Sequence, residues 1–251
     1  MIRACIMIPT YNEKENIGIL IDHINAINLS NVLLDILVID DNSPDVTGVY
    51  IKNLPYSNVF LLERTNKEGL GKAYLAGIRF LIKKDIYTHL ISMDADGSHQ
   101  VSDLKSMINE IQMNQDVSLV IGSRWVSGGS VVNWPWHRKI LSILGSAYAR
   151  KALKMNIRDV TGGFKIYQTT ALKRINLEKI VSNGYCFQIE ITRAVSQLDE
   201  VIKEMPITFV ERKIGQSKMN LRIVIEAMWQ VTKWALQLRL NPNADKLHYV
   251  K

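Results

Sequence analysis

The sequence predicts an α/β chain with a mostly parallel central sheet and helices on both of its faces. Two observations carry this. Short apolar runs alternate with helical patterns through the first half of the chain. Runs such as LLDILVID and VSLVIG are continuous rather than alternating, the pattern of strands covered on both sides. In order, residues 2–9 read as a strand stopped by Pro9, and 13–27 as a helix. Residues 33–40 and 58–62 read as strands and 71–82 as a helix. Two further strands, 88–93 and 117–122, flank a helix at 101–113. Beyond Arg124 the pattern changes. Residues 127–136, rich in glycine, serine and tryptophan, read as a loop, 140–155 as a helix and 160–167 as strand-like. Residues 201–210 read as a strand closed by Pro206, and 212–220 as a polar loop. The helix 221–240 carries Arg222, Glu226, Gln230, Lys233 and Gln237 on one stripe. No repeat, low-complexity segment or linker is present, so residues 1–240 are read as one domain and 241–251 as a polar tail that frays.

Composition bounds the function. With 47% hydrophobic residues in 251, the chain can bury a sizeable core. No stretch approaches the ~18 consecutive apolar residues of a membrane span, and the short N-terminal apolar run reads as a buried strand rather than a secretory signal. Two cysteines, Cys5 and Cys186, make neither a disulfide framework nor a zinc site, which sets a reducing, cytoplasmic location as the expectation. Lys and Arg exceed Asp and Glu by 31 − 24 = 7. That surplus suits anionic partners, or simply a solvated basic surface.

The chemistry-bearing residues fall where predicted strands end. Asp94-Ala95-Asp96 follows the strand THLISM directly. Two carboxylates one residue apart can approach one hard cation, magnesium or manganese, shared with substrate phosphates; the plain alternative is a helix cap. Asp40-Asp41 ends another strand. It reads either as a turn with a helix cap or as acceptors for a base or ribose. Pro9-Thr10-Tyr11-Asn12-Glu13 is a helix start as structure; as function, Tyr11 packs on a base and Glu13 accepts a hydrogen bond from it. The glycine-containing loop 64–72 is a weak phosphate signal that matches neither the Walker pattern nor GxGxxG. Arg124, Arg138, Arg212 and Lys218 lie in loops or beside them on the expected binding side, as phosphate clamps would.

Taken together, PTYNE, IDDNSPDVT, KEGLGKAYLAG, MDADGSH, GSRW, DVTGGFKIY, NGYCFQIE and FVERKIGQSK resemble the polyprenol-phosphate (dolichol-phosphate) mannosyltransferase group of glycosyltransferase family 2. The resemblance implies a GT-A fold, GDP-mannose as donor, a polyprenyl or dolichyl phosphate as acceptor, and inversion at the anomeric carbon. It implies that Pro9, Tyr11 and Glu13 line the nucleotide pocket and that Ile39 and Asp41 contact guanosine. Asp94 and Asp96 would hold Mg2+ or Mn2+, with Ala95 against the donor. Arg124 and Arg138 would lie near the phosphates, and Arg212 and Lys218 in a loop that closes over the diphosphate. One departure stands out: some relatives carry a glutamine two residues after the second aspartate, where this chain has Ser98. A membrane-bound acceptor places the protein on the cytoplasmic face of a membrane. Contact would run through helices 140–155 and 221–240, with Trp134, Trp136, Trp229 and Trp234 either as anchors or, the commoner fate of such residues, as buried core, or it would run through a membrane-anchored partner subunit.

Alternatives separate on sequence. A nucleotide-dependent dehydrogenase needs a glycine-rich turn after the first strand, where PTYNE stands instead. A non-catalytic nucleic-acid-binding module conflicts with Asp94 and Asp96, which repel phosphate unless a metal intervenes. Nucleic acid is therefore not expected as a partner. A UDP-glucose-dependent polyprenyl-phosphate glucosyltransferase is the nearest competitor.

Overall fold

The computed structural model describes residues 1–212 and 221–251. A seven-stranded sheet runs in the order β3-β2-β1-β4-β7-β5-β8. Its strands are β1 (Ile2–Thr10), β2 (Val32–Asp40), β3 (Val59–Glu63), β4 (His89–Ser92), β5 (Val117–Ser123), β7 (Lys165–Gln168) and β8 (Val201–Pro206). All neighbours are parallel except β7, which runs antiparallel between β4 and β5. Alternation along the strands feeds two cores. Ala4, Ile6 and Ile8 pack with Ile17, Leu20 and Ile21 of α1 (Lys14–Asn25) and with Leu104 and Ile108 of α4 (Val101–Met113). Cys5 and Met7, on the opposite face, pack with Tyr74 and Ile78 of α3 (Leu70–Lys84) and with Phe187 and Ile191 of α7 (Gly184–Ser196). Both faces are therefore apolar and covered, which explains the continuous hydrophobic runs.

The carboxyl ends of β1, β2, β4 and β5 share one edge, as parallel pairing requires. A second, two-stranded parallel sheet stands there, made of β6 (Ser130–Val132) and β9 (Thr208–Val210). The segment expected to be a loop at 127–136 thus contains a short strand. The single strand expected at 201–210 is two, because Pro206 ends the pairing with β5 and Ile207 turns the chain to the small sheet. The strand-like stretch 160–167 is extended only from Lys165, since Val160 and Thr161 make a turn before it. Helix α5 (Trp136–Ala152) starts earlier than expected, α2 (Thr47–Lys52) follows the expected turn and cap at 40–45, and α6 (Thr169–Arg174) and α7 were not expected as helices.

The chain beyond Asn241 does not fray. It forms α9 (Ala244–Tyr249), whose Asp245 makes a buried ion pair with Arg193 of α7. The Tyr249 hydroxyl donates to Glu190 at 3.0 Å, and Val250 bridges to Ile175. The polar composition of this tail hides two groups whose partners lie inside the protein.

Helix α8 (Leu221–Leu240) packs on α5, with the Tyr148 and Thr232 hydroxyls 2.6 Å apart. It buries Val231 and Trp234 but exposes Ile225, Met228, Trp229 and Leu236. The exposed side is therefore not the polar stripe alone.

Candidate active site

At the end of β4 the chain turns through Asp94, Ala95, Asp96 and Gly97, whose φ of +73° suits glycine. The Ser98 backbone N–H donates to Asp96 Oδ1 at 3.0 Å and closes the turn. His99 is buried. Its Nδ1 accepts from the Asp94 backbone N–H at 3.1 Å, which leaves the proton on Nε2, 4.0 Å from Asp94 Oδ2. Phe164 stacks on the His99 ring and Phe209 meets it edge-on. The Tyr74 hydroxyl lies 3.4 Å from Asp94 Oδ1.

The Asp94 side chain remains 33% exposed and the Asp96 side chain 9%. Burial holds the Asp94 carboxyl above its ordinary range. The charge of Asp96 adds to this, while His99 and Arg212 oppose it. Burial likewise holds His99 below its usual value, which favours the neutral imidazole. A cation already answers this pair: Arg212 Nη2 lies 3.2 Å from Asp96 Oδ2. Its position follows from β9, where the Val210 N–H donates to the Ser98 carbonyl at 3.1 Å and sets Arg212 two residues further on. The oxygen donors, their shared turn and the guanidinium standing against them fit a hard divalent ion. Among the described residues no cluster of three or more His, Cys, Asp or Glu could hold one unaided. Further ligands would have to come from substrate oxygens or water. Ser98 Oγ is buried without a hydrogen-bond partner among the described residues.

Beside this turn lie the other strand ends. Pro9 is in register with Ile39, and Thr10 with Asp40. The two adjacent aspartates are resolved by different partners. Asp40 accepts from Thr10 Oγ1 at 2.8 Å and from Ser43 N and Oγ at 2.9 and 2.6 Å, so it staples the turn. Asp41 pairs with Arg64 Nη1 at 2.5 Å. Arg64 and Lys72 also both bind Glu68, which makes loop 64–72 a charge-compensated ladder rather than an open phosphate cradle. Lys67 Nζ lies 3.5 Å from the centre of the Tyr11 ring, and Asn16 donates to Glu13 Oε2 at 2.8 Å.

Arg124, after β5, is buried. Its Nε and Nη2 donate to the two oxygens of Asp159 at 2.7 Å each, and Nη2 also donates to Thr161 at 2.9 Å. Trp125, Trp134 and Phe209 surround it, with ring centres 5.4–5.6 Å from Cζ. It is a fixed charge behind the site, not a swinging clamp. Arg138 on α5 stacks on Trp134 at 4.0 Å and pairs with Glu211. The structure thus gathers Asp94, Asp96, Arg124, Arg138 and Arg212 around β9. Pro9, Tyr11, Glu13, Ile39 and Asp41 form a neighbouring group at the ends of β1 and β2. Lys218 lies outside the described residues.

Sequence reasoning missed His99, Asp159, Glu211 and Gln188. The motifs MDADGSH, DVTGGFKIY, NGYCFQIE and FVERKIGQSK contain all four, but nothing local marks which residue is turned inward. Of the four tryptophans read as membrane anchors or as buried core, Trp134 packs between Arg138 and Phe209 and Trp234 is buried against Arg193. Trp136 and Trp229 are 74% and 71% exposed.

Comparison with known proteins places the chain. The model of the Glycosyl transferase family 2 matches residues 5–175. A polyprenol monophosphomannose synthase from Mycolicibacterium smegmatis is 41% identical over 95% of this chain and 89% of its own. An undecaprenyl-phosphate mannosyltransferase from Micrococcus luteus is 43% identical over 94% of this chain and 96% of its own. Among solved structures, a glucosyl-3-phosphoglycerate synthase from Mycobacterium tuberculosis, in complex with Mn2+, UDP and glucosyl-3-phosphoglycerate, superimposes with a TM-score of 0.64 at 15% identity. That alignment covers 94% of this chain and 79% of the other.

Proposed function

The chain belongs to glycosyl transferase family 2 and has the GT-A fold, and from that premise we propose that it transfers mannose from GDP-mannose to a polyprenyl or dolichyl phosphate. The observation that carries the reading is the Asp94–Asp96 turn at the end of β4 with Arg212 on its carboxylate, in a chain more than 40% identical to two relatives named for polyprenol-phosphate mannosyl transfer. Asp94 and Asp96 would hold Mg2+ or Mn2+, which when bound supplies positive charge to the donor diphosphate. The acceptor phosphate is ionised at neutral pH, so its oxygen attacks the anomeric carbon without a strong general base. The bond from that carbon to the diphosphate oxygen breaks, its electron pair leaves with GDP, and the sugar inverts. Catalysis then rests on alignment and charge. Arg212 stands beside Asp96, within reach of the departing diphosphate; Arg124 and Arg138 present fixed charge on the acceptor side, and the Lys218 charge is assigned to the same leaving group.

Asp41 and Glu13 are assigned to the guanine edge, whose N–H and amino groups donate to carboxylates, with Tyr11 against the ring. Titration calorimetry with magnesium is expected to show GDP binding at least tenfold tighter than UDP, since a hydrogen bond to a charged acceptor contributes ~1.5–3 kcal/mol. Equal affinities would remove the guanine assignment.

No helix among the described residues is long and apolar enough to cross a membrane. Trp136, Ile140 and Leu144 on α5 and Ile225, Met228 and Trp229 on α8 nonetheless stand exposed on two helices that pack together. Lys139 and Lys151 on α5 add positive charge. This surface is assigned to the cytoplasmic face of a membrane. Sedimentation with anionic vesicles should fall sharply when Trp136 and Trp229 are both replaced by serine; unchanged sedimentation would leave contact to a membrane-anchored partner subunit.

A further inference from the structure

Gln188 on α7 is 3% exposed, and its side-chain Nε2 makes no hydrogen bond among the described residues. The fully buried Lys165 of β7 donates its Nζ to Gln188 Oε1 at 2.9 Å and to the Gln188 carbonyl at 3.0 Å. Burial brings the Lys165 pKa down to about 7; its ammonium form only donates, which turns the amide oxygen towards Lys165 and the amide nitrogen away. It faces Gly163. A Cβ placed on that glycine would lie 3.4 Å from Gln188 Nε2 and 3.8 Å from Asp94 Oδ2. Gly163 is held in place by Ser92, whose hydroxyl donates to its carbonyl at 2.6 Å. An amide donor and a carboxylate acceptor therefore both border the space beside Gly163.

The chemistry of that space selects its occupant. A phosphate oxygen would satisfy the amide but carries no proton to donate to Asp94. An ammonium would satisfy Asp94 and leave the amide unpaired. A hydroxyl serves both, because its oxygen accepts from Nε2–H while its O–H donates to Asp94. Leaving a buried donor unmatched costs about 1–3 kcal/mol, which favours a partner that arrives with the substrate. We propose that Gln188 is a specificity residue that donates a hydrogen bond to a hydroxyl of the transferred hexose beside Asp94, oriented by Lys165 and given room by Gly163. This rests on the nucleotide-sugar reading of the site, though not on which base the donor carries.

The test compares binding of a sugar nucleotide with that of its bare nucleotide, in magnesium and without acceptor. The pairs are GDP-mannose with GDP and UDP-glucose with UDP. Gln188→Met removes both amide functions at similar volume. Gln188→Glu keeps an oxygen for Lys165, and so keeps the packing, but replaces the donor by an acceptor. Both variants are expected to bind the preferred sugar nucleotide about tenfold more weakly than the unsubstituted chain while binding its bare nucleotide within twofold. The inference is overturned if the sugar nucleotide binds both variants as it binds the parent, or if bare-nucleotide affinity falls in parallel, which marks a structural role. Should Gln188→Met fail to fold, Gln188→Glu decides alone. If the parent binds no member of either pair, the donor reading fails and this inference with it; failure of the inference alone appears only in the variants.

Discussion

Asp96→Asn is expected to lower sugar transfer by about 10²–10³-fold at saturating donor and magnesium, the range seen when a charge-stabilising group is removed from a preorganised site. Asparagine keeps the oxygen that accepts the Ser98 N–H at 3.0 Å, so the turn at the end of β4 should survive. What is lost is the negative charge that Arg212 now faces at 3.2 Å and that the divalent ion would share. Two readouts separate this role from a structural one. Thermal stability should change little, because Asp96 makes its contacts within the turn after β4 and to Arg212 rather than in either core. The gain in GDP affinity that magnesium gives the parent should disappear in the variant. Turnover within threefold of the parent, with the magnesium dependence intact, would remove Asp96 from the metal site.

Asp159→Ala should act through stability first. The Asp159 carboxylate accepts two side-chain bonds and the backbone N–H of Arg124, and its own backbone is held by Glu204 at 2.9 Å. Truncation leaves a buried guanidinium without its counter-charge, which costs about 3–5 kcal/mol. In a chain of this size that lowers Tm by about 6–20 °C. Burial alone would raise the Asp159 pKa, but the charge and hydrogen bonds of Arg124 outweigh it and hold the group below its ordinary value. A depressed folded-state pKa means that the pair stabilises the protein above the ordinary carboxylate range and loses that contribution as pH falls through the folded value. Melting curves at neutral and at acid pH check the sign: the gap between parent and Asp159→Ala should close on acidification. The double variant Arg124→Met/Asp159→Leu should regain much of the Tm while remaining inactive, if Arg124 supplies charge to the site. A Tm loss under 2 °C for Asp159→Ala would contradict the burial argument.

The parts of this site that were legible in the sequence are those fixed by local order. Asp94 and Asp96 follow the strand THLISM directly, and Asp41 follows another, so a parallel sheet alone puts them on one edge. The arginines were legible as cations but not as neighbours. Arg124 finds Asp159 thirty-five residues away, and Arg138 finds Glu211 across seventy-three. Their burial reverses the usual expectation for loop arginines, and only the tertiary structure shows it. Helix α7 escaped notice because its apolar residues are used on several sides, facing the sheet, α3 and α9, which blurs the periodicity. The last residues mislead for the same reason. Asp245 and Tyr249 read as a solvated tail until Arg193 and Glu190 are seen beneath them. Gln188 could not have been singled out by any motif, since its significance lies in what Lys165 takes from it and what Gly163 leaves open.

The measurement that bears most directly on the account is transfer itself. The protein is incubated with magnesium, polyprenyl phosphate in anionic vesicles and, in separate reactions, GDP-mannose or UDP-glucose labelled in the sugar. Label is expected to enter the lipid fraction from GDP-mannose, only when acceptor phosphate is present, and excess chelator should stop it. Label entering as fast from UDP-glucose, or from GDP-mannose in full chelator, would contradict it.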